Sequence, residues 1–265
     1  MRLFDTHAHL CAPDFADDLD VVIERARAAG VESLVAVGEN LEDAARNLDL
    51  ADRFPDFILP AAGLFPTILD EAAGEELETF IREHRQRWIA IGEVGLDFWK
   101  VKDAANRVLQ RRIFGRFVDL ALDLNLPLNV HSRSAGHHTI DFLIERGARR
   151  VQMHAFDGKA SRAQRGVDAG FFFSVPPSVV RSKQKQKLVQ RLPLSALLLE
   201  TDSPVLGRDA ASRNEPACLV QSLSAIASLK GEREETVAAA IFDNTRRLYG
   251  PRLAPPRGTD GTNVA

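Results

Sequence analysis

The chain has 265 residues, of which 45% are hydrophobic and 27% charged, and its formal net charge is −3. This length suits one large domain or two small ones, and the hydrophobic content is sufficient for a sizeable core. The slight negative charge argues against a protein that wraps duplex nucleic acid on a broad basic surface, but it leaves room for a local pocket that holds a strand end.

Cysteine usage and the first residues indicate the compartment. Cys11 and Cys218 are too few for a disulfide framework and form no CxxC pair, which is typical of a reducing cytosol. The first predicted strand begins at about Arg2, which leaves no space for a secretory signal, and no apolar run approaches the length of a membrane span. We therefore expect a soluble cytoplasmic protein with no membrane partner and no obligate protein partner.

The first predicted element, "LFDTHAHL" at 3–10, is a strand-like apolar run with Asp5, His7 and His9 at alternate positions. Residues two apart in a strand share a face, so these three side chains are expected to point the same way. Three ionisable groups on one side of a buried strand are unfavourable unless their charges or hydrogen bonds are compensated. A metal ion would compensate them.

Short apolar runs alternate with helical patterns along nearly the whole chain. Strand–helix alternation with almost continuous apolar strands predicts a parallel sheet covered by helices. Eight such repeats at this length predict a single-domain α/β protein with a (β/α)8 TIM-barrel fold. The predicted strands are 3–9, 33–38, 57–63, 88–98, 126–132, 150–156, 170–175 and 196–202, and the clearest helical patterns are 19–30, 105–125, 137–147, 213–228 and 232–248.

A doubly wound open sheet is the alternative fold, but no glycine-rich phosphate loop follows the first predicted strand. There is no internal repeat and no interdomain linker, so one barrel is expected over residues 1–250. The remaining segment, 251–265, is rich in proline, glycine and polar residues and is predicted to be a flexible C-terminal tail.

Ionisable residues lie at or near the ends of five predicted strands. The carboxyl ends of barrel strands surround one active site, so we expect these side chains to meet there. Four imidazoles and several carboxylates suit Zn²⁺, Mn²⁺ or Fe²⁺. They are too many for one catalytic ion with an open position, so two ions that share a bridging carboxylate fit better, and Glu93 is the natural bridge. The residues are His7, His9, Glu93, His131, His154, Glu200 and Asp202.

Five motifs, "DTHAH", "GEVGLDF", "NVHSR", "HAFDG" and "ETDSP", follow one another along the chain. Together they resemble those of the TatD-related metal-dependent hydrolases of the amidohydrolase superfamily, and the resemblance extends from about residue 3 to residue 249. The segments "HSRSAG", "RSKQKQKLV" and "RNEP" are most similar to the branch of the third animal TatD-domain-containing protein and its microbial relatives.

The resemblance implies a TIM-barrel nuclease, typically a 3′→5′ exonuclease on DNA ends, with two divalent metal ions (Zn, Mn or Mg) as cofactors. Glu93 and Asp202 would be catalytic, with Asp202 taking the proton of the attacking water. Glu200 would steer a ligand histidine, and Asp97 would do likewise or cap the segment after the fourth strand. The implied ligands are His7, His9, Glu93 and Asp202 for one ion and Glu93, His131 and His154 for the other.

Several cations near the expected mouth are candidates for binding phosphate. Arg133 is the first, because a guanidinium pairs with phosphate through two hydrogen bonds. The basic segment 181–187 and the pair Arg213 and Asn214 are further candidates, although 181–187 is equally consistent with a solvated helix face. After the fourth strand, Phe98 and Trp99 would either stack on a base or pack under a loop.

The chain departs from the family pattern after the third strand. Relatives usually carry Gly-x-His-Pro, and here the sequence is Gly63, Leu64, Phe65, Pro66. That histidine is expected near the substrate and is not a required ligand, so the predicted metal site is unaffected. The leading hypothesis is a metal-dependent phosphodiesterase on single-stranded DNA ends. The alternatives are a hydrolase of an ester, amide or aminoacyl-tRNA and a non-catalytic binding module, against which the complete ligand set argues.

Overall fold

The computed structural model describes residues 1–250 and Leu253, so most of the predicted tail lies outside the described residues. Eight parallel strands form one sheet in the order of the sequence, which confirms the predicted barrel. They are β1 (Leu3–Ala8), β2 (Val31–Ala36), β3 (Ile58–Ala62), β4 (Ala90–Gly95), β5 (Leu128–His131), β6 (Val151–Met153), β7 (Phe172–Val175) and β8 (Leu197–Leu199).

Helices connect consecutive strands, and two more follow β8. Their apolar faces cover the outside of the sheet, and both surfaces of β1 and β4 are buried as a result. The helices are α1 (Leu19–Ala28), α2 (Leu41–Arg53), α3 (Glu71–Glu83), α4 (Ala104–Asp123), α5 (Gly136–Glu145), α6 (Ala160–Asp168), α7 (Lys183–Arg191), α8 (Leu219–Lys230) and α9 (Glu234–Tyr249).

The barrel closes where β1 meets the end of β8. The backbone N–H of Asp202 donates to the carbonyl oxygen of His7 at 2.9 Å, and the N–H of His9 donates to that of Ser203 at 2.8 Å. These bonds join the first and last strands, and three of the four residues, His7, His9 and Asp202, were predicted to belong to the site. The closure of the fold and the assembly of the site therefore depend on the same backbone contacts.

The structure corrects several predicted boundaries. The predicted fourth strand, 88–98, is too long, because β4 ends at Gly95 and the chain turns there toward Asp97. The predicted helix 213–228 begins too early. Glu215 has an extended backbone and a short 3₁₀ turn starts at Pro216, so α8 begins only at Leu219. In the described part of the chain, no helix has both the length and the apolarity needed to cross a membrane.

We expect Gly95→Ala to lower the free energy of unfolding by roughly 3 kcal/mol or more, because overpacking and backbone strain add at one position. Gly95 has φ +150°, and an added Cβ would lie 2.0 Å from the carbonyl oxygen of His131. Gly147→Ala is the matched control, since Gly147 also has positive φ (+73°) but nothing lies within 4 Å of its added Cβ. It should cost only about 1–2 kcal/mol. Urea unfolding measures both, and equal losses would contradict the close approach.

Candidate metal centre

The structure brings all six predicted ligands together at the carboxyl end of the barrel. Their side chains fall into three overlapping groups, each of which could hold a metal ion because its ligand atoms lie within 4.8 Å of one another. The strands place them: His7 lies in β1, Glu93 in β4 and His131 at the end of β5. His9, His154 and Asp202 follow β1, β6 and β8 closely. The groups are His7, His9 and Glu93; Glu93, His131 and His154; and His7, His154 and Asp202.

The ligand atoms from β1 have the spacing that one ion requires. The Nε2 atoms of His7 and His9 are 3.2 Å apart, and each lies 3.5 Å from Asp202 Oδ1. Glu93 Oε2 is 3.8 Å from His7 Nε2 and 3.4 Å from His9 Nε2. Two donors bound tetrahedrally at 2.0–2.1 Å are about 3.3 Å apart, so these four side chains fit the first coordination shell of one ion.

In the second group, the ligand atoms of Glu93 and His131 lie closer together than two ligands of one ion would. His154 Nε2 lies 3.8 Å from Glu93 Oε1 and 3.8 Å from Asp202 Oδ2, which is close to the spacing of ligands on one ion. His131 Nδ1 is only 2.6 Å from Glu93 Oε1, the distance of a charge-assisted hydrogen bond. Glu93 thus contacts imidazoles on both sides of the barrel mouth, as a bridging carboxylate would.

Three of these histidines use their second ring nitrogen to contact a fixed oxygen. Such a partner fixes the orientation of the ring and, at His7 and His154, can accept the Nδ1 proton, which leaves the Nε2 lone pair facing the site. Asp97 also accepts hydrogen bonds from the backbone N–H groups of Trp99 and Lys100 at 2.9 and 2.7 Å, so it both orients a histidine and caps the loop. The pairs are His7 Nδ1 with Asn129 Oδ1 at 2.8 Å, His154 Nδ1 with Glu200 Oε2 at 2.9 Å, and His131 Nε2 with Asp97 Oδ2 at 3.2 Å.

A chain of buried polar groups supports Glu200 from behind. Its carboxylate accepts hydrogen bonds from the Ser174 hydroxyl at 2.6 Å and the Ala155 N–H at 2.9 Å. Gln152 donates to Ser174 at 3.0 Å, and the Tyr249 hydroxyl donates to Gln152 at 2.5 Å. Hydrogen bonds therefore continue from α9 through the barrel interior to His154.

Asn129 and Gln152 were not predicted from the sequence to be site residues. Each lies two positions before a predicted ligand, Asn129 before His131 and Gln152 before His154. Residues two apart in a strand share a face, so a polar residue at that spacing, inside an otherwise apolar run, was the available signal.

Charge balance dominates the electrostatics of the site. Burial raises the pKa of Glu93, but the His131 charge and hydrogen bond outweigh it and hold the pKa well below its usual range. Burial and the charge of His154 lower the pKa of His7 to about 4. Burial also lowers the pKa of His131, but Glu93 and Asp97 more than reverse this effect and raise it to about 9. The carboxylates therefore stay ionised and require positive charge beside them, as protons on imidazoles or as metal cations.

A cavity of about 500 Å³ opens above these residues. Phe65 and Arg133 lie in its wall, and the Arg133 guanidinium sits 3.8 Å from the ring centroid of Trp99, whose surface is 47% exposed. Phe98 packs against the hydrophobic core, which agrees with the packing alternative for that residue. Lys185 is buried in the cavity wall, whereas the neighbouring Lys183 and Lys187 on α7 are exposed.

Two of the predicted substrate contacts lie elsewhere. Neither Arg213 nor Asn214 is among the residues that line the cavity. Arg213 pairs with Asp18 at 2.6 Å and so ties the loop after β8 to the start of α1. The buried Asn214 amide donates to the carbonyl oxygens of Thr201 and Val205 at 2.7 and 2.8 Å. In this structure both residues hold the loop that follows Asp202.

Comparison with known proteins identifies the family. The family model described as TatD related DNase matches residues 4–250. The chain belongs to this family. The family and the hydrolase class predicted from the motifs are thus confirmed.

Relatives align with this family member over almost their full length. The mouse protein named putative deoxyribonuclease TATDN3 is 46% identical, with 96% of this chain and 90% of that protein covered. The Erwinia tasmaniensis protein named 3′-5′ ssDNA/RNA exonuclease TatD is 32% identical, with 93% and 99% covered. The crystal structure of YJJV, a TatD homologue from Escherichia coli K12, superposes with a TM-score of 0.86 at 28% identity and covers 93% of this chain and 97% of that one.

We expect Asn214→Ala to lower the free energy of unfolding by about 1–3 kcal/mol, because the buried Thr201 carbonyl and the partly buried Val205 carbonyl lose their donor. Asn214→Asp should cost more, since a carboxylate would face the same two oxygens. Asn106→Ala, on the exposed face of α4, is the control and should change stability by no more than about 0.5 kcal/mol. Chemical denaturation of the three variants measures this, and an unchanged Asn214→Ala would show that the amide does not hold the loop.

Proposed function

We propose that this protein is a two-metal phosphodiesterase that removes nucleotides from single-stranded DNA in the 3′→5′ direction. One observation carries the proposal: Glu93 lies between two groups of ligand atoms at the base of an open cavity. Two of the relatives bear the names putative deoxyribonuclease and 3′-5′ ssDNA/RNA exonuclease, which supports a nucleic-acid substrate.

The two proposed ion sites have Glu93 in common. Divalent ions at these positions would polarise a phosphoryl oxygen and lower the pKa of water. The spacing of the ligand atoms from β1 and the fixed tautomers of the histidines support this assignment. The ligands are His7, His9, Glu93 and Asp202 for the first ion and Glu93, His131 and His154 for the second.

Asp202 and Arg133 would act on the substrate. The Asp202 carboxylate borders the cavity within 3.5–3.8 Å of His7, His9 and His154, so it is placed to orient a water and accept its proton at Oδ2. Arg133 would pair with a phosphate through two N–H groups. Its contact with the Trp99 ring restricts the guanidinium before substrate arrives.

The size of the cavity supports recognition of a strand end. About 500 Å³ is the volume of a small-ligand pocket and accommodates a terminal nucleotide rather than a duplex. The net charge of −3 also disfavours extensive contact with a phosphate backbone. The cytoplasmic location and the lack of an obligate protein partner stay predictions from the sequence.

A second candidate function is hydrolysis of an ester, an amide or an aminoacyl-tRNA. The apolar part of the cavity wall, formed by Phe65, Val205 and Leu206, favours it, because these side chains would accommodate the apolar part of an acyl group. Hydrolysis of end-labelled single-stranded DNA, beside a panel of esters and aminoacyl-tRNAs at the same metal concentration, decides between the two.

We expect His131→Ala and His154→Ala each to reduce exonuclease activity at least about a hundredfold, because even the outer partners of metal ligands contribute ten- to hundredfold. Both variants should keep the fold, since they remove side chains at a wet barrel mouth. His137→Ala, at an exposed position of α5, is the matched control and should retain activity. Rates on one end-labelled strand, bound metal per chain and a thermal melt in chelator are measured together. Near wild-type turnover by either ligand variant with one bound ion would refute the two-metal assignment.

We expect Phe65→His to raise the rate on DNA ends about tenfold or more, because one hydrogen bond to a charged group is worth roughly 1.5–3 kcal/mol. The Phe65 ring lies in the cavity wall with its centroid 5.1 Å from that of the His131 ring. The backbone N–H of Phe65 donates to the carbonyl oxygen of Glu39 at 2.8 Å. A histidine here would reach the substrate from a fixed backbone. Phe65→Leu, which adds no donor, should give no gain.

A double-mutant cycle with Arg133→Ala tests whether the two positions act on the same phosphate. Arg133→Ala should be more damaging with Phe65 than with histidine at that position. An unchanged or lower rate for Phe65→His, with metal content and melting temperature preserved, would show that this position does not limit hydrolysis of DNA.

A further inference from the structure

Lys185 is a buried cation in the wall of the cavity. It lies on α7, its surface is only 8% exposed, and it borders the same space as His154 and Asp202. Its Nζ donates one hydrogen bond, to the carbonyl oxygen of Ala155 at 2.9 Å. Lys185 is neither a proposed metal ligand nor a proposed catalytic residue.

The described residues do not fill the hydrogen-bonding capacity of this ammonium. An ammonium has three N–H donors and no acceptor. Among the described residues, no carboxylate oxygen lies within the 4.0 Å of Lys185 Nζ that defines an ion pair. Asp157, which also borders the cavity, already accepts from the Ser134 N–H at 3.0 Å through each of its two oxygens. A buried charge with unused donors is unfavourable until an anion pairs with it.

The fold places Lys185 and the other cation of the cavity after strands that flank β6. Arg133 follows β5 and Lys185 lies on the helix after β7, whereas His154 follows β6 between them. Arg133 and Lys185 are the only lysine and arginine side chains among the described residues that line the cavity. An anion held beside His154 would therefore have one cation on each side.

We propose that Lys185 binds a non-bridging oxygen of the substrate phosphate and so selects anionic phosphodiesters over neutral esters and amides. This inference rests on the proposed function and extends it, because it names the residue that decides between the two substrate classes. Lys185 donates to the phosphate with the N–H groups that Ala155 leaves free. The exposed Lys183 and Lys187, one turn or less away on the same helix, do not take part.

The test uses the metal-loaded enzyme and two chromogenic substrates, bis(p-nitrophenyl) phosphate, which is an anionic diester, and p-nitrophenyl acetate, which is a neutral ester. Lys185→Met removes the charge and all donors, and Lys185→Gln removes the charge but keeps a donor. Lys187→Met is the matched control on the exposed face of α7. Inorganic phosphate is the probe of binding, measured as an inhibition constant and as the shift it causes in the melting temperature.

For both Lys185 variants, kcat/KM on the diester should fall roughly ten- to a hundredfold, the value of a hydrogen bond to a charged group. The inhibition constant of phosphate should rise by a similar factor, and phosphate should no longer raise the melting temperature. Hydrolysis of the neutral ester should stay within about twofold of wild type, and Lys187→Met should match wild type throughout.

Two results would overturn the inference. Equal losses on the diester and the neutral ester would mean that Lys185 only fixes the Ala155 carbonyl. An unchanged phosphate inhibition constant and melting shift would mean that it binds no anion. Failure of the proposed function looks different: wild type would hydrolyse neither the diester nor DNA, yet phosphate would stabilise wild type and not the Lys185 variants.

Discussion

The carboxylate of Glu93 is the constraint around which the site is arranged. It is 2% exposed and lies within 3.8 Å of imidazoles from β1, β5 and the residue after β6. A buried carboxylate is tolerated only when positive charge or hydrogen bonds compensate it, and here the compensating imidazoles come from three different parts of the barrel. The backbone at Gly63 also lies close to that of Glu93, because a Cβ on Gly63 would be 2.6 Å from the Glu93 carbonyl oxygen.

The residues that hydrogen-bond to the predicted ligand histidines fix the orientation of the imidazole rings. Asn129, Asp97 and Glu200 each fix one histidine ring, and Glu200 is itself held by Ser174 and the Ala155 N–H. Such a network stabilises a unique geometry only when every member is satisfied. The interior of this barrel is therefore polar near the mouth. Apolar side chains could fill the same space but could not orient imidazoles.

The sequence was informative where chemistry and strand periodicity coincide. Eight strand–helix repeats were sufficient to predict the barrel, and histidines and acids at the ends of apolar runs predicted the group of residues that meets at its mouth. Other features depend on information that single positions do not carry. Lys183, Lys185 and Lys187 look alike in the sequence, and the helical phase of α7 decides which of them is buried. The position of Asn214 depends on how the loop after β8 folds back onto Thr201, which local pattern does not reveal.

The seam between the first and last strands has a consequence for how the protein matures. His7 lies in the first strand and His9 directly follows it, whereas Asp202 follows the eighth strand, and its N–H closes the barrel onto His7. A nascent chain therefore cannot bring Asp202 beside His7 and His9 before the eighth strand has been synthesised. In small zinc domains the metal drives folding; here the residues proposed to hold the ions meet only when the barrel closes, so an ion held by all of them would bind after the last strand is in place.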